Sequence, residues 1–324
     1  MELIHRPRRL RRTDAVRRLC RETRLSPDSL IYPIFVDETL RGTRPIESMD
    51  GQYHYGLASV CLAAEAFRPR REPLHLRAPP RRMNRAPPPG QSGVVQEAIR
   101  AVKAKYPDFY VITDVCLCEY TSHGHCGVLC GREVDNDKTL GLLTKVALSH
   151  AAAGADMVAP SDMMDGHVAA IRQALDGNGY ENIPIMAYSA KYASAFYEPF
   201  RAAAGSAPAF GDRKGYQMDP HNRREALREC ALDAEEGADI LMVKPALCYL
   251  DVIRECADAF DLPLCAYSVS GEYAMIKASA AAGRIDEHRI MCETALAVFR
   301  AGADMLITYY AKELADAIRQ GEIG

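Results

Sequence analysis

The sequence predicts an α/β protein, most simply a (β/α)8 barrel. Short apolar runs rich in β-branched residues alternate with Ala- and Leu-rich stretches that carry charges at helical spacing. This alternation is typical of parallel βαβ units. The alternative is an open, doubly wound sheet, although no Gly-x-Gly-x-x-Gly turn follows the first strand. The predicted strands lie at residues 31–36, 109–115, 155–160, 183–189, 238–244, 263–269 and 303–309.

A repeated phrase marks the passage from a helix to a strand. It reads Ala-Gly-Ala-Asp at residues 153–156 and 301–304, and Glu-Gly-Ala-Asp at residues 236–239. In each copy the glycine ends a predicted helix and a strand follows at once. The predicted helices lie at residues 140–153, 168–175, 223–236, 250–260 and 290–300.

The segment between the first predicted strand and the second is longer than the segment between any other two consecutive predicted strands. An eighth strand inside it would complete a barrel of ordinary length. Residues 67–90, however, contain seven Arg and seven Pro, and proline lacks the N–H group that a central strand donates. We therefore expect the second barrel strand to be disrupted over about residues 67–90. A local reading-frame shift in the gene or a genuine basic insertion would each produce this composition.

Composition limits the class of protein. The chain has 324 residues, a net charge of −3 and 48% hydrophobic residues, which is enough for one large core. The charge balance does not favour a nucleic-acid partner, and no apolar run approaches the ~20 residues of a membrane span. The Arg-rich N-terminus lacks the apolar stretch of a secretory signal. With eleven cysteines and no such signal, we expect reduced thiols and a cytoplasmic protein.

A cluster of thiols follows the predicted strand at 109–115. Cys116, Cys118 and Cys126 lie within eleven residues, with His123 and His125 between the second and the third. Three soft ligands can bind Zn²⁺ and leave its fourth position open, as a catalytic zinc requires. Reduced, partly buried thiols without a metal are the alternative, but so dense a cluster favours metal binding.

Polar side chains follow nearly every predicted strand. In a barrel the chemistry lies at the C-terminal ends of the strands. Lys244 ends an apolar strand, so poor solvation should lower its pKa, and a second cation at Lys191 would lower it further. A neutral amine attacks carbonyls and forms Schiff bases; the alternative is an ordinary strand-end lysine paired with a carboxylate. The other polar residues at these ends are Asp114, Ser161, Asp162, Ser270, Glu272, Tyr309 and Tyr310.

Residues 196–217 carry two arginines in a Gly-, Pro- and aromatic-rich stretch that is long enough for an active-site lid. Arg201 and Arg213 are suited to bidentate capture of a carboxylate, although either alone could be a solvated loop charge. With the lysines and thiols, they predict a substrate that has a carbonyl and a carboxylate. The aromatic neighbours are Phe196, Tyr197, Phe200, Phe210 and Tyr216.

Five phrases closely resemble the porphobilinogen synthase (5-aminolevulinate dehydratase) family. They lie at residues 114–127, 159–166, 188–194, 242–246 and 269–275. The resemblance runs from about residue 5 to 60 and from about 94 to the C-terminus. It implies that two 5-aminolevulinate molecules are condensed to porphobilinogen, the pyrrole precursor of haem. It also implies a homo-octamer assembled through an N-terminal arm, formed here by residues 1–24, with residues 25–324 as a single barrel domain.

The resemblance also implies roles for single residues. Lys244 matches the lysine that forms a Schiff base with the first substrate, and Lys191 matches the lysine that binds the second. Arg201 and Arg213 match side chains that hold one substrate carboxylate. The other carboxylate would be held by Ser270 and Tyr309. Supporting residues for orientation and proton transfer would be Asp114, Ser161, Asp162, Tyr197 and Gln217.

Two metals enter through the same resemblance. Cys116, Cys118 and Cys126 match the zinc-binding form of the family rather than its Asp-rich, magnesium-dependent form. Glu229 matches a position that binds an activating Mg²⁺ in many bacterial members.

The chain departs from the family where an apolar strand is expected, near residues 70–76. Loss of a central strand would expose edges on both neighbours, so we expect a chain that folds poorly or is inactive. A catalytically impaired homologue that binds zinc or joins an oligomer would fit this expectation. A class I aldolase would also use a Schiff-base lysine, but it would not need the thiols.

Overall fold

The computed structural model describes residues 4–67, 74–77, 93–204 and 206–324. Strands and helices alternate along these ranges, and short 3-10 turns join several of them. The strands are β1 (Leu30–Val36), β2 (Thr43–Pro45), β3 (Tyr53–Tyr55), β4 (Leu74–Arg77), β5 (Val111–Val115), β6 (Val128–Cys130), β7 (Glu133–Asp135), β8 (Met157–Pro160), β9 (Met186–Lys191), β10 (Ile240–Lys244), β11 (Leu264–Tyr267) and β12 (Met305–Ile307). The helices are α1 (Asp14–Leu19), α2 (Val60–Phe67), α3 (Val94–Lys105), α4 (Asn136–Ala153), α5 (His167–Asp176), α6 (Glu198–Ala204), α7 (Arg223–Glu235), α8 (Leu250–Ala259), α9 (Ser270–Ala281), α10 (Glu287–Ala301) and α11 (Ala311–Arg319).

Eight parallel strands form the barrel in chain order, namely β1, β4, β5, β8, β9, β10, β11 and β12. Each strand pairs with the next except β8 with β9, and β12 pairs with β1. The seam between β8 and β9 is closed by a parallel bridge between Val158 and Ile185, where the Val158 N–H donates to the Pro184 carbonyl at 3.1 Å. The predicted barrel is therefore confirmed, and an open sheet is excluded. The seven strands predicted from the sequence all contribute to it.

The second barrel strand is present, and the prediction that residues 67–90 exclude it is wrong. Leu74–Arg77 form β4, in which Leu76 is the register partner of Ile34 on β1 and of Thr113 on β5. These four residues read Leu-His-Leu-Arg and contain no proline, so each has an N–H group to donate. Apart from Phe67, which ends α2, the rest of the Arg- and Pro-rich segment lies outside the described residues.

The glycine and the aspartate of the repeated helix-to-strand phrase each have a structural role. Gly154, Gly237 and Gly302 have positive φ angles of 101°, 99° and 116° where α4, α7 and α10 end, a conformation that glycine adopts without strain. The aspartate two residues later accepts the backbone N–H at the start of the preceding barrel strand, which fixes the bottom of the barrel. The donor–acceptor pairs are Val111 with Asp156 at 2.7 Å, Ile185 with Asp239 at 2.8 Å, and Leu264 with Asp304 at 2.8 Å.

The N-terminal residues lie apart from the barrel core. The 3-10 turn Pro7–Arg11 and α1 bury no residue, and Ile4, Leu10 and Leu19 are exposed large hydrophobic residues. The core itself surrounds the barrel strands, and every residue of β1, β5, β9 and β10 is buried. Among the described residues, no helix combines the length and the apolar character that crossing a bilayer requires.

Candidate active site

Two buried lysines end neighbouring strands of the barrel. Lys191 is the last residue of β9 and Lys244 is the last residue of β10, and the two are register partners. Each side chain is about 5% exposed. Both amines lie over the ring of Tyr188, with Nζ 5.5 Å and 5.1 Å from its centroid. The prediction that the two lysines share one end of the barrel is confirmed.

Aromatic rings surround the amine of Lys244. Its Nζ lies 3.9 Å from the ring centroid of Tyr267, 5.4 Å from that of Tyr197 and 5.7 Å from that of Phe200. The Tyr197 hydroxyl also donates to the Lys244 backbone carbonyl at 3.3 Å. These rings pack around the amine, so they limit the positions that it can take.

The amine of Lys191 belongs to a polar chain. It donates a short hydrogen bond to the Ser161 carbonyl. The Ser161 hydroxyl donates to Asp114 at 2.8 Å, and the Tyr188 hydroxyl donates to the other oxygen of Asp114 at 3.1 Å. All four residues are buried. Asp114 and Ser161 therefore lie beside the lysines, as the sequence predicted.

Asp162 makes a different set of contacts. One oxygen accepts the Met164 N–H at 2.8 Å, and both oxygens lie 3.1 Å from His167 Nδ1. His167 Nε2 lies 3.5 Å from Asp233 on α7. Burial opposes a charge on His167, but the two carboxylates outweigh it and raise its pKa well above the usual value. The structure thus places Asp162 in an ion-pair cluster that joins the end of β8 to α7.

Cys116, Cys118 and Cys126 form a buried cluster after β5. Their sulfur atoms all lie within 4.8 Å of one another, and the Sγ atoms of Cys116 and Cys118 are 3.2 Å apart. Hydrogen bonds from Cys116 and Cys118 hold the pKa of Cys126 well below its usual range, aided by the nearby guanidinium of Arg213. Three converging sulfurs, one of them favoured as thiolate, fit a metal ion.

The two histidines between these cysteines have other contacts. His125 uses both ring nitrogens, at 3.1 Å from the Tyr216 hydroxyl and 3.0 Å from the Phe210 carbonyl. His123 Nδ1 accepts the His125 N–H at 3.1 Å. The candidate ligands among the described residues are therefore the three cysteines alone.

Arg201, Arg213 and Gln217 have buried polar atoms without a hydrogen-bond partner among the described residues. These atoms are Nε of each arginine and both amide atoms of Gln217. Arg213 uses Nη2 to bind the carbonyls of Gly124 at 2.9 Å and Ser206 at 2.6 Å. Burial, and then the charge of Arg213, lowers the pKa of Arg201. Buried polar groups are normally paired, so this set is suited to receive an anionic ligand.

Ser270 and Tyr309 follow the last two barrel strands, and they make different contacts. The Ser270 hydroxyl accepts the Phe200 N–H at 2.9 Å and lies 3.3 Å from the Phe196 carbonyl, so it ties α9 to the segment that contains Phe196 and Phe200. Tyr309 is buried, and its ring stacks on Phe35 with centroids 6.5 Å apart.

Glu229 lies on α7, away from the lysines. Burial, followed by repulsion from Asp233 and Asp165, raises its pKa to about 7. It lines a cavity of about 560 Å³ together with Tyr216 and Gln217, and neither lysine is among the lining residues. The two lysine side chains are instead enclosed by the protein.

The fold and this site define an enzyme class, a (β/α)8 barrel with two buried lysines beside a thiol cluster. The family model for delta-aminolevulinic acid dehydratase matches residues 4–317. The chain is 53% identical over 321 residues to the delta-aminolevulinic acid dehydratase of Archaeoglobus fulgidus, covering 97% of this chain and 98% of that protein. It is 49% identical to the Bacillus subtilis enzyme, covering 96% and 97% of the two chains.

A solved structure gives the same result. The Toxoplasma gondii delta-aminolevulinic acid dehydratase in complex with porphobilinogen superposes with a TM-score of 0.92 at 44% identity, covering 97% of this chain and 91% of that one. The chain therefore belongs to the delta-aminolevulinic acid dehydratase family. It is a porphobilinogen synthase that condenses two 5-aminolevulinate molecules with loss of water in tetrapyrrole biosynthesis. The family resemblance stated from the sequence is confirmed.

Sequence reasoning missed three features of the site. Tyr188 was not expected to contact both amines, Gln217 was not expected to be buried without a partner, and Asp162 was not expected to bind His167. The only advance signal was that Tyr188 and Gln217 stand in phrases that contain Lys191 and Arg213.

Proposed function

We propose that Lys244 and Lys191 each form a Schiff base with one molecule of 5-aminolevulinate during the condensation. The observation that carries this proposal is the register pairing of the two lysines, whose amines both lie over the ring of Tyr188. In each step the amine nitrogen bonds to the keto carbon, and the keto oxygen leaves as water. Two imines held side by side turn a bimolecular condensation into a positioned one.

The attacking amine must be neutral. We expect burial and the nearby positive charge of Lys191 to favour the neutral form of Lys244. Asp114 accepts hydrogen bonds from Ser161 and Tyr188, so its carboxylate is placed to take or return a proton through either hydroxyl.

The substrate carboxylates are assigned to two sets of groups. Arg201 and Arg213 hold one, supported by their buried and unpaired Nε atoms, and Gln217 adds an amide donor. Ser270 and Tyr309 hold the other. Because the Ser270 hydroxyl already binds the 196–200 segment, that segment must adjust when this carboxylate enters.

Cys116, Cys118 and Cys126 hold Zn²⁺. The proposal is supported by their burial, the mutual approach of their sulfurs and the low pKa of Cys126. Bound zinc supplies a Lewis acid that polarises a carbonyl or acidifies a water. Glu229 is proposed as a ligand of an activating Mg²⁺, supported by its place in an acidic cavity with Asp165 and Glu225.

Residues 1–24 are proposed to form an arm that joins copies of the chain into a homo-octamer, with residues 25–324 as the catalytic domain. This is supported by the exposed Ile4, Leu10 and Leu19 and by the absence of buried residues in Pro7–Arg11 and α1. A cytoplasmic location is proposed as well, since all eleven cysteines, each in the described part of the chain, are without a disulfide.

Borohydride reduction with 5-aminolevulinate tests the proposal. Borohydride fixes an imine as a stable amine, and peptide mass spectrometry locates it. We expect adducts on Lys244 and Lys191, and loss of the Lys244 adduct and of turnover in Lys244→Met. Turnover without an adduct on either lysine would show that the amines are not covalent catalysts.

A further inference from the structure

Glu272 is a buried carboxylate in the first turn of α9, and it is hydrogen-bonded to the loop that follows Lys244. It is about 1% exposed. One oxygen accepts the Leu247 N–H at 2.6 Å, and the other accepts the Val269 N–H at 2.6 Å. Hydrogen bonds from the Ser268 side chain and the Ala246 backbone act on the same carboxylate.

The Leu247 and Val269 N–H groups belong to the two loops that follow Lys244 and Tyr267. Leu247 lies three residues after Lys244, and Val269 lies two residues after Tyr267. The ring of Tyr267 is the aromatic group 3.9 Å from Lys244 Nζ. One carboxylate therefore joins the backbone that follows the amine to the backbone that follows its contacting ring.

The bond to Leu247 goes beyond a helix cap. A glutamate in the third position of a helix commonly accepts the N–H of the N-cap residue, and the bond to Val269 fits that pattern. Leu247 is 25 residues away in sequence and belongs to a different strand–helix loop. Helix α9 does not need this second bond to begin, so the bond constrains the loop after Lys244.

The chemistry of a carboxylate suits this task. Two backbone N–H groups each need an acceptor, and a carboxylate offers two acceptor oxygens and no donor. Burial raises the pKa of Glu272 to about 7, against the lowering effect of the backbone hydrogen bonds. A glutamine would place an NH2 group against one of these N–H donors and leave that donor unpaired.

We propose that Glu272 is a positioning residue for Lys244, holding the amine against the Tyr267 ring through the Leu247 and Val269 N–H groups. The proposal rests on the proposed role of Lys244 as the amine that forms the first Schiff base. Glu272 acts on the reaction only by fixing the loop, and it contacts no substrate.

The test compares Glu272→Gln with Glu293→Gln, a matched change at an exposed glutamate on α10. Initial rates of borohydride-trapped adduct on Lys244, kcat and KM are measured on the zinc-loaded enzyme, with folding followed by circular dichroism and thermal unfolding. Because a small misplacement of a reacting group is costly, we expect kcat and the trapping rate to fall about 10- to 100-fold in Glu272→Gln while KM changes little. Glu293→Gln should match the parent chain.

A folded Glu272→Gln enzyme that traps substrate on Lys244 at the parent rate overturns the inference. So does a loss of activity that disappears when rates are corrected for the folded fraction. If Glu272→Gln does not fold, Glu272→Asp decides, because it keeps a carboxylate but is one methylene shorter and cannot accept both the Leu247 and the Val269 N–H groups; a parent trapping rate there rejects the inference, and a several-fold loss supports it.

Lys244→Met separates this inference from the proposed function. If that variant retains parent turnover, the role of Lys244 is wrong and the inference falls with it. If Lys244→Met is inactive while Glu272→Gln behaves like the parent chain, only the inference is wrong.

Discussion

Lys191 and Lys244 are register partners on neighbouring strands, and the ring of Tyr188 lies beneath both amines. The contact between Tyr188 and Lys191 depends on an irregularity in β9. Leu241 pairs with Ala187 and Val243 with Ala190, so β9 has one more residue than β10 in this interval. The extra residue lets side chains three positions apart face the same way, which brings the tyrosine under its own strand's lysine.

Two variants of Tyr188 should separate the contribution of its hydroxyl to catalysis from that of its ring. Tyr188→Phe keeps the ring and removes the hydroxyl that donates to Asp114, so we expect a loss of about tenfold or more in kcat, as for one hydrogen bond to a charged group. Tyr188→Leu also removes the ring shared by the two amines, and we expect a clearly larger loss. Steady-state kinetics measure both, with the half-exposed Tyr110→Phe as the control. Equal activity in Phe and Leu variants would mean that the ring has no role.

The same irregularity shows what the sequence could and could not predict. Apolar periodicity identified seven barrel strands, because strands buried on both faces read as continuous apolar runs. Strand alternation would place residues 188 and 191 on opposite faces, so only coordinates reveal that they meet. The bond from Leu247 to Glu272 joins the loop after β10 to helix α9, 25 residues away in sequence, and no local pattern encodes it.

The short strand β4 was missed for a related reason. Composition averaged over residues 67–90 is dominated by Arg and Pro, and it hides five proline-free residues between Pro73 and Pro79. Two barrel neighbours with unpaired edges provide hydrogen-bond partners for these residues on both sides. Tertiary pairing here overrides local composition, as it commonly does in strands.

Removing one sulfur of the cluster should release the metal. Each of Cys116, Cys118 and Cys126 supplies one of three buried donors, so Cys126→Ser should lower zinc from about one ion per chain to a small fraction of that and abolish turnover. Metal analysis after gel filtration measures the content. Cys130→Ser, an exposed cysteine four residues away, should retain zinc and activity. Full zinc content in Cys126→Ser would contradict the assignment of these ligands.

Chelation offers an independent check on the same cluster. Removal of zinc from the parent chain should abolish turnover, and added Zn²⁺ should restore it. A class I aldolase-like enzyme that uses lysine alone would keep its activity without the metal. Persistent turnover in metal-free protein would therefore exclude a catalytic role for zinc.

Arg201 and Arg213 should affect substrate binding more than the rate of the chemical step. Arg213→Lys cannot donate to both Gly124 and Ser206 while facing a ligand. We expect KM for 5-aminolevulinate to rise about tenfold or more, equivalent to the loss of one charged hydrogen bond of about 1.5–3 kcal/mol. Arg201→Lys should behave in the same way. The exposed Arg224→Lys is the control, and an unchanged KM in both buried variants would argue against carboxylate binding by these residues.

His150 should make the protein sensitive to acid. It is buried in α4 with neither ring nitrogen hydrogen-bonded among the described residues, and burial lowers its pKa to about 4. The unfolded chain, with an ordinary histidine pKa of about 6.5, then binds the proton more readily than the folded one. The penalty is absent above pH 6.5 and grows as the pH falls toward 4, reaching about 2 kcal/mol at pH 5.

His150→Leu should remove this acid sensitivity. The difference in unfolding free energy between the variant and the parent chain should shift by about 2 kcal/mol in favour of the variant between pH 7 and pH 5. Urea unfolding at the two pH values measures it, and His5→Leu, at an exposed residue near the N-terminus, should show no such shift. A pH-independent difference would mean that the fold does not lower the pKa of His150.

The short strand β4 should limit the stability of the barrel wall. It has four residues, whereas its neighbours β1 and β5 have seven and five, and each backbone hydrogen bond contributes about 1 kcal/mol. Replacing residues 67–90 with the corresponding segment of the Bacillus subtilis relative should therefore raise the thermal unfolding temperature and the turnover rate. The parent chain is expected to be the less active of the two, and parent turnover equal to that of the replaced chain would reject this expectation.

Leu76→Pro tests the pairing of β4 itself, since it removes an N–H group from a strand with neighbours on both sides. We expect the variant to be less stable than the parent chain, and unchanged stability would mean that β4 adds nothing to the barrel.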